Sequence, residues 1–305
     1  MTKKLSASLC LVACIGLMAA YTVGIPSRPA NKITARECGA SGGYADDIFD
    51  QHAAALADYL LADVRGGEGA PRHFVATFAT VTNNSQRVEE RKDTFLRAML
   101  PMVLAVNDSL QLQRQLLVQL DKCMHDGANV TPAAFDWLNE LAEHYNAEPL
   151  PEVLLRHVDI VPPALVLAQA AIESGWGQSR FVREGNALFG ERTTNLESGI
   201  KPAKVRANSL VRVAVFERPI DSVISYMRNL NTHPAYAEFR EQRAAMRASG
   251  LPLDAVGLAG TLHRYSERSA DYVRDIRMLI ATNSLTDFDT AWLRNGDDGY
   301  QPSDR

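Results

Sequence analysis

An apolar run bracketed by prolines and glycines ends in an acid. Pro162-Pro163 leads into Ala164-Leu165-Val166-Leu167-Ala168-Gln169-Ala170-Ala171-Ile172-Glu173-Ser174, and Gly175 and Gly177 follow. The run has helical length, prolines suit a helix start, and the glycines stop it. Glu173 therefore stands in the last turn of an otherwise apolar helix, at the negative end of its dipole. Apolar neighbours and that dipole both favour the protonated carboxyl. A carboxylic acid kept neutral can give a proton to a leaving oxygen, which is what cleaving a glycosidic bond requires. Trp176 follows at once, and an exposed indole is a stacking face for a sugar ring. The plain alternative is a surface glutamate near a helix end beside a core tryptophan.

The rest of the chain reads as mainly α with one small hairpin. Helices are expected over Asp46 to Val64, Arg87 to about Leu120, and from Thr131-Pro132 through Trp137 to Tyr145. In the second, Leu96, Met99, Leu100 and Val103 recur at three- and four-residue steps, the spacing of a core-facing stripe. Thr131 is a good cap and Pro132 fits a first turn. The stretch Gly66-Gly67-Glu68-Gly69-Ala70-Pro71 breaks the chain between the first two. Leu210 to Phe216 alternates like a strand, and with Ile200 to Arg206 it makes a hairpin around Ala207-Asn208-Ser209. Asp221 is expected to cap a helix to Asn231, followed by helices over Pro234 to Ala248, Leu253 to Tyr265 and Asp271 to Ala281.

Composition sets outer bounds. The 305 residues are 46% hydrophobic and 22% charged, an ordinary globular balance. A net charge of −4 offers no basic field for nucleic acid. No zinc-type Cys/His cluster or phosphate-binding glycine loop is present, and no metal, nucleotide or organic cofactor is expected. Lys3 and Lys4 precede a run without charge from Leu5 to Pro26, a signal peptide or N-terminal membrane anchor over residues 1–26. Leu11-Val12-Ala13-Cys14 also looks like a lipoprotein cleavage box. A linker over 27–43, a helical region over 44–149, a catalytic domain over 150–285 and a tail over 286–305 complete the expected layout. Of the four cysteines, only Cys38 and Cys123 lie outside the first apolar run, and they could pair in an oxidising compartment.

The words around Glu173 narrow the reading. Ala168-Gln169-Ala170-Ala171-Ile172-Glu173-Ser174-Gly175-Trp176-Gly177 resembles the signature of the bacterial glucosaminidases of glycoside hydrolase family 73, with Asn186-Ala187-Leu188-Phe189-Gly190 as its downstream element. Phe95 to Pro101, Pro162-Pro163, Asn229 to Tyr236 and Leu262 to Arg268 are similar to the Bax-type branch of that family. The resemblance covers roughly residues 90 to 283. It implies a lysozyme-like helical lobe with a small β-hairpin over a groove, and cleavage of the β-1,4 bond after N-acetylglucosamine in peptidoglycan. It carries Glu173 onto the family's catalytic glutamate and Tyr265 onto a cleft tyrosine that helps position substrate. Tyr265 as an ordinary core tyrosine is the equal alternative. Trp176, Phe189, Asn186 and Tyr226 are expected to bind or support substrate, and the protein to lie in the bacterial envelope on peptidoglycan glycan strands. An uncleaved N-terminal segment would hold it at the inner membrane.

One departure stands out. Many members place a second acid on the hairpin, and Glu191 to Phe216 does not match that pattern well. Glu191 and Glu197 are the available carboxylates, and each reads more simply as a solvated loop charge. Without a partner acid, the substrate's own acetamido group could serve as nucleophile, or a moving hairpin could bring an acid in. Eight basic residues lie between Arg180 and Arg218 (Arg180, Arg183, Arg192, Lys201, Lys204, Arg206, Arg212 and Arg218), against four acids. They suit the carboxylates of peptidoglycan or simply a solvated face. His233, before Pro234, reads as a structural turn residue. The remaining alternatives are a lytic transglycosylase and a non-catalytic peptidoglycan-binding protein.

Overall fold

The computed structural model describes residues 53–54, 56, 58–81, 87–194, 199–202, 210–265 and 270–294. The expected N-terminal anchor, lipoprotein box and linker, with Glu197, Lys204, Arg206 and the turn at 207–209, lie outside them. No helix among the described residues is long and apolar enough to cross a membrane.

The first departure from the sequence reading comes at once. Ala53–Ala54 is a short strand, β1, paired in parallel with β2 at Phe74–Val75. Helix in the expected 46–64 stretch is confined, among the described residues, to α1 at Leu61–Arg65. Alanine's helix propensity is overridden here by pairing to an apolar partner strand.

Next comes α2, Val88–His125, longer than its apolar stripe suggested. Pro101 lies inside it, so the carbonyl of Arg97 loses its helical donor. The hydroxyl of Tyr59, 2% exposed, donates to that carbonyl at 2.9 Å. A helix defect thus becomes an attachment point for the preceding segment.

α3 spans Pro132–Tyr145 with Thr131 as its cap, its hydroxyl accepting from the Ala134 amide. Two short helices, α4 at Pro151–His157 and α6 at Arg180–Gly185, were not legible in the apolar pattern. Between them runs α5, Pro163–Ser174, buried from Pro163 through Ala171. It packs against α2, α9 (Ala255–Ala259), α10 (Ala270–Thr282) and a 3-10 turn at Leu285–Phe288. That turn supplies Asp289, whose carboxylate accepts from the Ala164 amide at 2.8 Å and closes the free N-terminus of α5. The entry to α5 is pinned by Asn107 of α2, which both donates to and accepts from the Val161 backbone.

The hairpin has three strands rather than two. β3 (Arg192–Thr193), β4 (Gly199–Ile200) and β5 (Arg212–Ala214) form an antiparallel sheet with β5 in the middle. β3 is too short to show alternation in sequence. Next, α7 (Pro219–Thr232) begins at Arg218, and Asp221 closes a capping box from the third helical position rather than serving as the cap itself. The expected helix over 234–248 is a 3-10 turn, Pro234–Tyr236, followed by α8 at Ala237–Ala248. The stretch expected as a helix over 253–265 is α9 continued by a 3-10 turn at Gly260–Arg264. Residues on both sides of position 150 share one hydrophobic core, with Phe95, Met99 and Met102 packed in it alongside Leu165, Tyr226 and Ile276.

Candidate active site

Glu173 ends α5, and the chain turns sharply behind it. Gly175, Trp176 and Gly177 take φ of 60°, 58° and 77°, three left-handed residues in succession. Glycine does this freely, but tryptophan does not. Ser174 locks the turn, donating to the Ala170 carbonyl at 2.5 Å and accepting from the Gly177 amide at 2.9 Å. Trp176 is held by α2: its ring meets Phe95 edge-on at 5.6 Å, and the Lys92 ammonium lies 5.6 Å from its centroid. The indole expected as an open sugar platform is therefore partly buried and engaged with α2, where it fixes the turn that ends α5.

The Glu173 carboxyl ends a chain of hydrogen bonds that runs through two tyrosines and a glutamine. The Tyr226 hydroxyl donates to Gln169 Oε1, Gln169 Nε2 donates to the Tyr272 hydroxyl at 2.9 Å, and that hydroxyl donates to Glu173 Oε1 at 2.9 Å. All three donors run in one direction and end on the acid. Burial raises the Glu173 pKa to about 7, opposed by the single bond from Tyr272. Burial, reinforced by the charge of Glu173, pushes Tyr226, Tyr265 and Tyr272 well above the ordinary tyrosine value, so all three remain hydroxyl donors.

Tyr265 stacks on Tyr272, with centroids 5.5 Å apart and planes 5° off parallel; it meets Tyr226 edge-on at 6.3 Å and Tyr236 at a 36° tilt. It is 5% exposed, and its hydroxyl makes no hydrogen bond among the described residues. Phe189 stacks on Tyr226 at 3.9 Å. Both rings are buried, so they form the floor beneath the site rather than its open wall. Asn186, in left-handed conformation, spends its amide on the fold. Its oxygen accepts from Thr77 and from the Phe78 amide, and its nitrogen donates to the carbonyls of Phe216 and Glu217. The residue read as a substrate contact is thus the clamp between the 77–78 segment, α6 and the hairpin.

Glu191 is not the solvated loop charge its context suggested. It accepts from the Ser225 hydroxyl at 2.6 Å, and its other carboxyl oxygen is buried. Burial raises its pKa to about 7, opposed by that bond. Arg180 pairs with Glu184 and Arg218 with Asp221, so part of the basic rim is already neutralised. His233 accepts from the Ala235 amide through Nδ1, as a turn histidine does. Gln169, Tyr272 and Ser225 escaped the sequence reading. Gln169 carried a signal: it is the lone amide in the apolar run, four residues before Glu173 and so on the same helix face.

These features set a carboxyl of raised pKa at the end of an apolar helix, in a mainly helical lobe with a small sheet. Residues 153–285 match the model of the glucosaminidase family, described as mannosyl-glycoprotein endo-beta-N-acetylglucosaminidase. Among curated proteins the chain is similar to Protein bax of Escherichia coli (strain K12), 33% identical over 189 residues, covering 60% of this chain and 66% of that protein. It is also similar to Peptidoglycan hydrolase FlgJ of the same strain, 29% identical over 147 residues (43% of this chain, 45% of FlgJ). FlgJ of Salmonella typhimurium is 27% identical over 154 residues, with 45% and 46% covered. The chain thus spans just under two thirds of the first relative and under half of the others. No solved structure matches it.

Proposed function

We propose that the protein is a peptidoglycan hydrolase that cleaves the β-1,4 bond after N-acetylglucosamine, with Glu173 as general acid. The observation that carries this reading is the Glu173 carboxyl, desolvated at the end of an apolar helix, met by a tyrosine hydroxyl, and half protonated near neutral pH. The family of residues 153–285 supports the sugar class, and the printed names of the FlgJ relatives support peptidoglycan as the polymer. Tyr265 is read as a positioning donor, because its hydroxyl, without a hydrogen bond among the described residues, lies in the same tyrosine cluster as the acid's partner. A bacterial envelope location fits this substrate. It also fits Cys123, which is disulfide-bonded to a partner outside the described residues, as an oxidising compartment allows.

The test is digestion of purified peptidoglycan by wild type and Glu173→Gln. Soluble fragments with N-acetylglucosamine at the reducing end are expected from wild type only. A 1,6-anhydromuramyl end would make the protein a lytic transglycosylase. Tight binding without release by either protein would make it a binding protein.

A further inference from the structure

We propose that Gln169 is a positioning residue of this site: its buried amide holds the Tyr272 hydroxyl as a donor to Glu173, and so keeps the acid's proton on the other carboxyl oxygen, Oε2. The proposal rests on the glycosidase reading above and names the group that aims its acid.

Gln169 is fully buried in a helix whose other buried residues are apolar, apart from Ser174. An amide in such a place is costly unless both of its ends are bonded. α5 sets Gln169 one turn before Glu173, on the same face. Its two ends meet tyrosines from two different elements. The Tyr226 hydroxyl of α7 donates to Oε1, and Nε2 donates to the Tyr272 hydroxyl of α10 at 2.9 Å. A single amide thus ties α5 to both neighbours beside the acid.

The ends of an amide are chemically different, and that difference gives the chain a direction. A phenol beside a carboxyl has two arrangements. It donates its proton to the carboxyl, or it accepts the carboxyl's proton. In the second arrangement the acid's proton points into the tyrosine and away from any leaving oxygen. Tyr272 has one proton to give. With Nε2 donating to its oxygen, that proton goes to Glu173 Oε1 at 2.9 Å. An amide turned end for end would present its oxygen to Tyr272, take the proton, and leave the tyrosine to accept from the acid. Tyr226 opposes that turn. Its hydroxyl would have to donate elsewhere, and it makes no other hydrogen bond among the described residues. In the neutral acid the oxygen that accepts is the carbonyl oxygen, so the proton stands on Oε2.

A hydroxyl with a donor behind it is itself a stronger donor. Donation to a carboxyl favours the charged form, so this chain draws the Glu173 pKa down against burial. The other titratable groups leave that link dominant. Tyr265 and Tyr226 stay neutral, and the charge of Glu191, on the hairpin, acts on Tyr226. On α10, Asp271 and Arg274 pair with each other. On α2, Lys92 is held over the Trp176 ring and by Glu89. The turn at Leu285–Phe288 carries Asp287, paired with Arg65, and Asp289 lies at the far end of α5. α9 has no titratable side chain.

Two readouts test the assignment on the full chain. One is the titration of the Glu173 carboxyl by 13C NMR, its signal identified by its loss in Glu173→Gln. The other is the pH–rate profile of fragment release from peptidoglycan. Gln169→Met keeps the length of the side chain and removes both ends of the amide. It should raise the Glu173 pKa, and the alkaline limb with it, by about 0.3–0.6 pH unit. It should lower kcat by about 3–30-fold and leave KM within about twofold, because a fully buried amide does not touch substrate. In a Tyr272→Phe background the same substitution should leave the titration where it was, since the link it acts through is gone. An unmoved titration in folded Gln169→Met would overturn the assignment, and so would an equal shift with and without the Tyr272 hydroxyl. If Gln169→Met does not fold, Tyr226→Phe decides. It removes one oxygen at the head of the chain, and it should raise the Glu173 pKa only while Tyr272 is present. Wild type that releases no fragments ends the glycosidase reading, while the titrations still decide whether Gln169 governs the carboxyl.

Discussion

A buried carboxylate and a half-buried, largely desolvated one lie within fifteen residues of each other and are treated in opposite ways. Asp159, with a side chain 2% exposed, is met by Arg247 at 2.8 Å, Arg114 at 3.5 Å and Arg243 at 3.9 Å. Glu173 is met by a tyrosine hydroxyl. The first environment pays for desolvation with cations and holds the loop before α5 as an ion would be held. The second withholds that compensation, so the proton stays within reach of neutral pH. Burial alone therefore says nothing about role. What surrounds the buried group decides between scaffold and acid.

The sharpest way to test this contrast is to neutralise each carboxylate. Glu173→Gln should lower fragment release by about 10²–10⁴-fold while its melting curve shows a folded protein. Asp159→Ala should do the reverse. It leaves three arginines facing an empty place and should cost about 3–5 kcal/mol in denaturant unfolding, with activity per folded molecule preserved. If Asp159→Ala melts like wild type, the arginine cluster is not what holds that loop.

A third outcome concerns stability against pH. The folded pKa of Glu173, about 7, lies above its unfolded value of 4.5. The folded state therefore binds the proton more tightly. Stability from this group is full below pH 4.5 and is lost as pH rises towards 7. Glu173→Gln escapes that loss. It should be more stable than wild type by about 1–3 kcal/mol at pH 8 and nearly equal at pH 4, read by thermal melts at both. The smallest effect belongs to Tyr272→Phe. It removes the one bond that lowers the Glu173 pKa, so the alkaline limb of the pH–rate profile should move to higher pH. An unmoved limb would detach Tyr272 from the acid.

What could be read in the sequence was what is locally encoded. Prolines, glycines and Thr131 placed α3 and α5 to within a residue, because caps and stops act on their own turn. The position of Glu173 at a helix end followed directly. The strand at Ala53–Ala54 and the third hairpin strand were not legible, since each exists only through a partner distant in the chain. The same limit applied within the site. Trp176, Phe189 and Asn186 occupy motif positions, but spacing cannot say which way a side chain faces, and all three face the fold. Glu191 misled in the opposite sense: a loop acid by sequence, it is drawn inward by Ser225, 34 residues later.

The Asn186 clamp has a practical consequence for anyone who wants the enzymatic module alone. The family match begins at residue 153, but the amide at the heart of its motif is satisfied by Thr77 and Phe78. A fragment cut at the family boundary would strip that oxygen of both donors, and would also remove the Phe95 and Lys92 contacts of Trp176. The stretch that the family model matches is thus shorter than the stretch a designer must keep. Expression fragments, fusions and domain grafts should be drawn from before Tyr59, not from the edge of the homology.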